Sequence, residues 1–279
     1  MQFLRKILDF YIFSNIHVAL SGFCLTKITL LKFGIQSNLT PFFVAFSVLI
    51  SYNFIRFFEI KTNRLNWFKQ WFFVHKSGLL LVSILSSTFL AYIIFFSSFN
   101  LKAIVILLPF AFVTFFYVVP ILKKEKLEFS FRNFPSIKIF SIAVSWAGVT
   151  VFFPLFEFGY SFTSNVYIEF VQRLFILIAI TLPFDIRDVT VDPKTLKTLP
   201  QELGVNKSKI VGYVLLLLFV ILEVIQRNYF NSKIVISIVI VFITALFLGF
   251  STPKRTRYYT SFWVEAIPIF WFVLIALFL

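Results

Sequence analysis

Long apolar runs alternate with short polar ones along the whole chain. At about 20 residues per crossing of a bilayer, the pattern predicts nine spans near 12–33, 38–58, 77–97, 101–121, 138–157, 166–184, 210–228, 233–250 and 262–279. Each is predicted to be helical, because backbone polar groups in hydrocarbon must be bonded within their own segment. The connections at 34–37, 98–100 and 229–232 are short, and those at 59–76, 122–137, 185–209 and 251–261 are longer. No low-complexity tract or soluble domain interrupts the series. The expectation is one all-α, polytopic membrane domain over residues 1–279, with nine transmembrane helices.

Composition agrees with the pattern. Hydrophobic residues make up 59% of the 279 residues, against roughly 45–50% in soluble domains. Only 14% are charged, and phenylalanine alone supplies 43 positions. The net charge of +14 does not point to nucleic acid, because the cations sit in short loops between apolar segments, as membrane topology requires. With the N-terminus cytoplasmic, the terminus, the long loops and the adjoining helix ends hold all but six of the 26 Lys and Arg. The exceptions are Lys27, Lys32, Lys102, Arg173, Arg227 and Lys233. That asymmetry predicts an N-in, C-out multi-pass protein of a cell or inner membrane. No small-residue cleavage site follows the first apolar run, which reads as a retained helix anchored by Arg5 and Lys6. The lone cysteine, Cys24, excludes an intrachain disulfide and reads as packing.

Candidate chemistry concentrates at one place. The chain has four aspartates, and Asp185, Asp188 and Asp192 lie within Asp185–Pro200, where an apolar run meets a basic loop. Spacing of i, i+3 and i+7 puts the three within about 60° on one helix face. Carboxylates that close repel unless a cation sits among them, and all-oxygen ligation suits Mg²⁺, which takes one or two carboxylates plus substrate phosphates. Arg187, Lys194 and Lys197 are placed to neutralise phosphate oxygens. The competing reading is a solvated acidic turn neutralised by its own lysines. A Mg²⁺–phosphate site opening into membrane helices suggests a substrate with a diphosphate head and an apolar tail, the tail lined by aromatic rings.

The pattern Asp-x-x-Asp-x-x-x-Asp followed by Lys-Thr-Leu-Pro, closing a middle helix, resembles the second aspartate motif of the UbiA superfamily of intramembrane prenyltransferases. The resemblance extends to Tyr117, Pro120, Lys123 and Lys124 after the fourth span, and to Arg132, Pro135, Lys138 and Trp146 around the start of the fifth. It implies a UbiA-like bundle and Mg²⁺-assisted ionisation of a prenyl diphosphate, with transfer of the prenyl group to a hydrophobic acceptor. Asp185, Asp188 and Asp192 would hold the metal and take part in catalysis. Tyr117, Lys123, Lys194, Lys197 and Asn53 would bind diphosphate.

The chain departs from that family at its first motif, Asn-Asp-x-x-Asp-x-x-x-Asp at the end of the second helix. Here Asn53 matches, but the aspartate positions hold Phe54, Phe57 and Lys61. Glu59, six residues from Asn53, points about 120° away on a helix, whereas Arg56 shares the Asn53 face. Two expectations follow: Arg56, with Lys61 or Arg64, contacts diphosphate directly, or the chain binds a prenyl lipid without ionising it. Residues 66–73, alternating aromatic and polar, read as an interfacial amphipathic stretch or as a lid. Glu169–Arg173 and Glu223–Arg227 are expected as i, i+4 pairs. Glu265 either faces the site or favours its helix N-terminus. His17 reads as a hydrogen-bonded packing residue.

Overall fold

The computed structural model describes residues 2–61, 66–97, 99–124, 127–132, 134, 137–227 and 232–278. Arg64, Pro135 and the side chains of Lys123, Lys124 and Arg227 lie outside what is described, so the expectations resting on them have no structural counterpart. Helices α1 (Gln2–Phe13) and α2 (Ile16–Lys32) are followed by α3 (Leu39–Lys61), α4 (Asn66–Val74), α5 (Lys76–Phe96) and α6 (Ala103–Val118). A two-stranded antiparallel hairpin, β1 (Leu122–Lys124) and β2 (Leu127–Phe129), pairs Leu122 with Phe129 and is the exception to helix among the described residues. Then come α7 (Lys138–Ala147), a π turn (Gly148–Phe152), α8 (Phe153–Glu157), α9 (Ser164–Asp188), α10 (Leu199–Leu203), α11 (Val205–Arg227) and α12 (Ser232–Gly249). A second π turn (Tyr259–Val264) leads into α13 (Ile267–Phe278).

Six described helices are long and apolar enough to cross a membrane: Leu39–Lys61, Lys76–Phe96, Lys138–Glu157, Ser164–Asp188, Val205–Gln226 and Tyr259–Phe278. Phe3–Phe13 and Ile16–Lys32 meet the same test together, bent by 55°, and two shorter apolar helices are Ala103–Val118 and Ile234–Gly249. The protein is therefore an integral, multi-pass membrane protein. The bend after α1 falls at Asn15, which adopts a left-handed φ of 67°, a conformation asparagine tolerates better than most residues. Its side chain donates to Asn53 Oδ1 at 2.8 Å, and Asn53 Nδ2 donates to Ser83 Oγ at 3.1 Å. The break between α1 and α2 is thus tied to α3 and α5.

α9 is the central element, packed against α7, α11 and α12. Its inward residues, including Ile176, Ala179, Leu182 and Ile186, join Leu216 and Phe219 of α11 and Trp271 of α13 in the largest core cluster. A second cluster joins α2 and α3 to α5, α6 and α8 through Val44, Leu49, Ile93, Ala103 and Phe153. α5 buries only Leu79, Ser86 and Ile93 and exposes Leu80, Ile84 and Phe89 along its other faces. In lipid such exposure carries no hydrophobic penalty, so close helix contact relies on small residues. Gly148 lies directly on the Phe110 ring, and a Cβ at Gly212 would fall 2.9 Å from a Leu182 methyl.

A buried ionic network crosses the core. Arg173 Nη2 pairs with Glu169 at 2.9 Å, as its i, i+4 spacing predicts. Lys32 Nζ reaches Glu169 at 2.8 Å and Glu223 at 3.2 Å. Gln172 Nε2 donates to Glu223 at 2.9 Å, and Arg173 Nη1 to the Leu25 carbonyl at 2.9 Å. Lys32 and Arg173 also lie 5.5 and 5.3 Å from the centre of the Trp271 ring. Buried charges survive in such a setting because each has an opposite charge and further donors or acceptors. His17 behaves as expected of a packed residue. Nε2 lies 2.9 Å from the Phe262 carbonyl, which can only accept, so Nδ1 accepts from the Tyr11 hydroxyl at 2.8 Å.

Candidate functional site

The last turns of α3, α6 and α9 meet the first turns of α7 and of the second π segment at one end of the bundle. Asp185, in the last turn of α9, is 1% exposed. Lys138, the first residue of α7, places Nζ 2.9 Å from Asp185 Oδ1 and 2.7 Å from Asp192 Oδ2. The contact to Asp192 is a hydrogen bond. The contact to Asp185 is an ion pair that holds a buried carboxylate oxygen against the ammonium. α9 ends at Asp188, and Asp192 reaches the ammonium through a turn in which the Val191 and Asp192 N–H groups both donate to the Asp188 carbonyl. Gln201 Nε2 fixes that turn by donating to the Asp192 carbonyl at 3.0 Å, and Gln201 is itself part of a capping box with Thr198.

Asp188 is not at this point. Arg187 grips both of its oxygens in a fork, Nε to Oδ1 at 2.8 Å and Nη2 to Oδ2 at 2.7 Å, and donates from Nη1 to Thr260. The π turn presents Thr260: the Glu265 N–H donates to the Thr260 carbonyl, a five-residue step of the kind frequently found at functional sites. The same turn sets Glu265 within electrostatic reach of Arg56 and Arg187. Glu265 thus faces the site.

Arg56 extends the cluster from α3. It lies within electrostatic reach of Glu265, Tyr52, Arg187 and Asp188, with its guanidinium 5.1 Å from the centre of the Phe68 ring. Phe68 is buried on α4, so the aromatic stretch at 66–73 is helical and sets a buried ring over this cation. Arg132, after the hairpin, forms an ion pair with Glu59 and hangs 6.0 Å from the centre of the Tyr117 ring. Burial presses the Arg132 guanidinium below its usual value, while Asp192 beside it pulls the other way. Tyr117 is within electrostatic reach of Asp185, Asp192, Tyr52 and Arg56, and the Tyr52 hydroxyl accepts from Trp146 Nε1 at 3.1 Å.

The sequence therefore named much of this cluster but mistook part of its geometry. Asp185, Asp192, Tyr117 and Arg56 converge with Arg132 and Lys138. Asn53 instead links Asn15 to Ser83, and Lys194 and Lys197 lie exposed on the loop after α9. The three aspartates do not share a helix face, because the helix stops before Asp192. Among the described residues no three or more His, Cys, Asp or Glu side chains gather closely enough to hold a metal ion. The expected three-carboxylate Mg²⁺ set therefore does not fit the side chains: Lys138 stands between two of the carboxylates and Arg187 occupies the third. Tyr52, Thr260 and Arg257 were missed. Arg257 lies within electrostatic reach of Arg187, Asp188 and Arg56, yet no local pattern marks these three.

The whole chain has a counterpart among solved structures. Its fold is shared with digeranylgeranylglyceryl phosphate synthase. The two match with a TM-score of 0.55 and 19% sequence identity, over 100% of this chain and 99% of the synthase. The structure of the synthase is described as that of an enzyme in membranes. At this identity the match carries the fold, and the alignment runs the length of both chains. No protein-family model and no curated protein matches the sequence.

Proposed function

We propose that this protein is an intramembrane prenyltransferase, moving an isoprenyl group from its diphosphate to a hydrophobic acceptor. The observation that carries the reading is the junction of two features: an end-to-end fold match to a membrane synthase, and a buried cation–carboxylate cluster at one end of an apolar bundle. In this reading α2, α3, α5, α6, α7 with α8, α9, α11, α12 and α13 are nine spans, and positive loops hold the cluster at the cytoplasmic face. The substrate head lies against the cluster and the prenyl tail runs between the helices.

The chemistry needed is heterolysis of the allylic C1–O bond, with the electron pair leaving on diphosphate. The acceptor then attacks C1 and loses a proton. Forked guanidiniums suit the charge that develops on the leaving oxygens, and Arg56, Arg132 and Arg187 supply three. Tyr52 and Tyr117 add ring faces and hydroxyls next to C1, where rings favour a developing cation. Asp185 and Asp192 hold Lys138 in place among these groups.

A second reading, a prenyl-lipid-diphosphate binder without turnover, is favoured by one observation. Phe54 and Phe57, at positions where the resembled family carries aspartates, are exposed and bring no charge to the site. Turnover of radiolabelled geranylgeranyl diphosphate in membranes, with several acceptors, separates the two. Transfer that falls about 100-fold or more in an Asp185→Ala, Asp188→Ala double variant is the expected result. Absence of transfer and hydrolysis above that variant would overturn the enzyme reading.

A further inference from the structure

Carboxylates brought together in a low-dielectric site need a cation among them, and where that cation comes from decides whether the site depends on a divalent ion. Here the cation is part of the chain. Lys138 Nζ contacts Asp185 and Asp192 at 2.9 and 2.7 Å. Asp188 has both oxygens engaged by Arg187, Glu59 is paired with Arg132, and Glu265 faces Arg56 and Arg187. Asp185, Asp188, Asp192 and Glu59 thus each have a basic partner in ion-pair contact, and Glu265 has two guanidiniums within electrostatic reach. A Mg²⁺ ion, with its near-octahedral shell at roughly 2.0–2.1 Å, would enter between Asp185 and Asp192 only by displacing a buried ammonium from both. That ammonium would then be left without its counter-charges.

We infer that Lys138 is the resident cation of this site, standing where a divalent ion would otherwise bridge Asp185 and Asp192, and that a diphosphate is bound through the chain's fixed cations without a divalent ion. The identity of the ligand rests on the proposed function; the role of Lys138 does not. The anion meets Arg56, Arg132 and Arg187. Arg187 spends three N–H donors on Asp188 and Thr260, which leaves others for phosphate oxygens.

The test is equilibrium binding of farnesyl thiolodiphosphate, a probe that resists ionisation, to the full chain in detergent, in excess EDTA and in excess Mg²⁺. Wild-type affinity should agree between the two conditions within about threefold. Lys138→Met should bind about 30-fold more weakly in EDTA, as expected when one partner of a buried charge set is lost, and recover with Mg²⁺. Wild-type binding that appears only with Mg²⁺ would overturn the inference and leave the proposed function standing. No binding in either condition would overturn both the metal-free site and the proposed function. Unchanged binding by Lys138→Met in EDTA would also overturn the inference. Mn²⁺ titration followed by electron paramagnetic resonance examines Lys138 with no substrate present. Wild type should show no tight site, and Lys138→Met should gain one that Asp185→Asn removes again. A tight Mn²⁺ site in wild type would defeat the inference. Both wild-type measurements stand even where a variant does not fold.

Discussion

Asp185 and Asp188 are three residues apart and differ sharply in what surrounds them. Asp185 is sealed against the Lys138 ammonium, whereas the Asp188 side chain is 30% exposed and bound to its own neighbour. Removing one partner of a buried pair strands the other charge at a cost of about 3–5 kcal/mol, while half-open pairs contribute about 1 kcal/mol or less. Asp185→Asn leaves Lys138 with Asp192 as its carboxylate partner, so thermal unfolding in detergent should rank it below Asp188→Asn by less than that full cost, and equal losses would contradict the burial of Asp185. Arg173→Met should cost about 3–5 kcal/mol by the same reasoning, since it takes from Glu169 the guanidinium paired with it in a fully buried site. The aspartates were legible because so few occur and three of them cluster. Their shared helix face was not, and in retrospect Pro193 was the warning, since a residue before proline is pushed out of helical conformation. Lys138 was legible as a position but not as a partner. It meets Asp192 across 54 residues, a separation over which periodicity carries no information.

At the scale of elements, hydrophobic runs placed the helices well and their irregularities poorly. The π turns at Gly148–Phe152 and Tyr259–Val264 leave apolar content unchanged, so nothing in the pattern announces them, yet the second aims both Thr260 and Glu265 at the site. Gly148 looks like a weak point in a helix until Phe110 is seen lying against it. Gly148→Ala should separate α6 from the π turn and lower the melting temperature; a neutral or stabilising result would show that the Phe110 ring moves aside. Asn15→Ala removes both the residue suited to a left-handed turn and the bond to Asn53, a combination expected to cost about 1–3 kcal/mol. Restoring only the conformation with Asn15→Gly should recover part of that loss, and the same unfolding measurement reads both. The sequence left open whether residues 66–73 form an interfacial stretch or a lid. The stretch is a short helix, and among the described residues its Phe68 ring covers Arg56.

At the scale of the whole molecule, loop charge gives a testable orientation. Cys24 is the only cysteine and is buried, so an introduced thiol can be read without background. Val191→Cys, at a position 79% exposed beside the aspartates, should react with a membrane-impermeant maleimide only from the cytoplasmic side. Ser161→Cys, on the loop between α8 and α9, should react only from the other side, and the opposite pattern would invert the proposed topology. The ionic network in the core also bears on how the chain is made. Lys32 and Glu223 stand 191 residues apart, so during synthesis Lys32 enters the bilayer long before either of its acids exists. Glu169 and Arg173 arrive later as a neutral pair, and only the insertion of α11 brings the second carboxylate that balances Lys32. Until then the growing chain carries a cation without its full set of acids, and the long stem of Lys32 lets that charge stay in water. A nascent chain stopped before α11 should thus be the species most prone to quality-control capture, with release gained in a single step once Glu223 is in place.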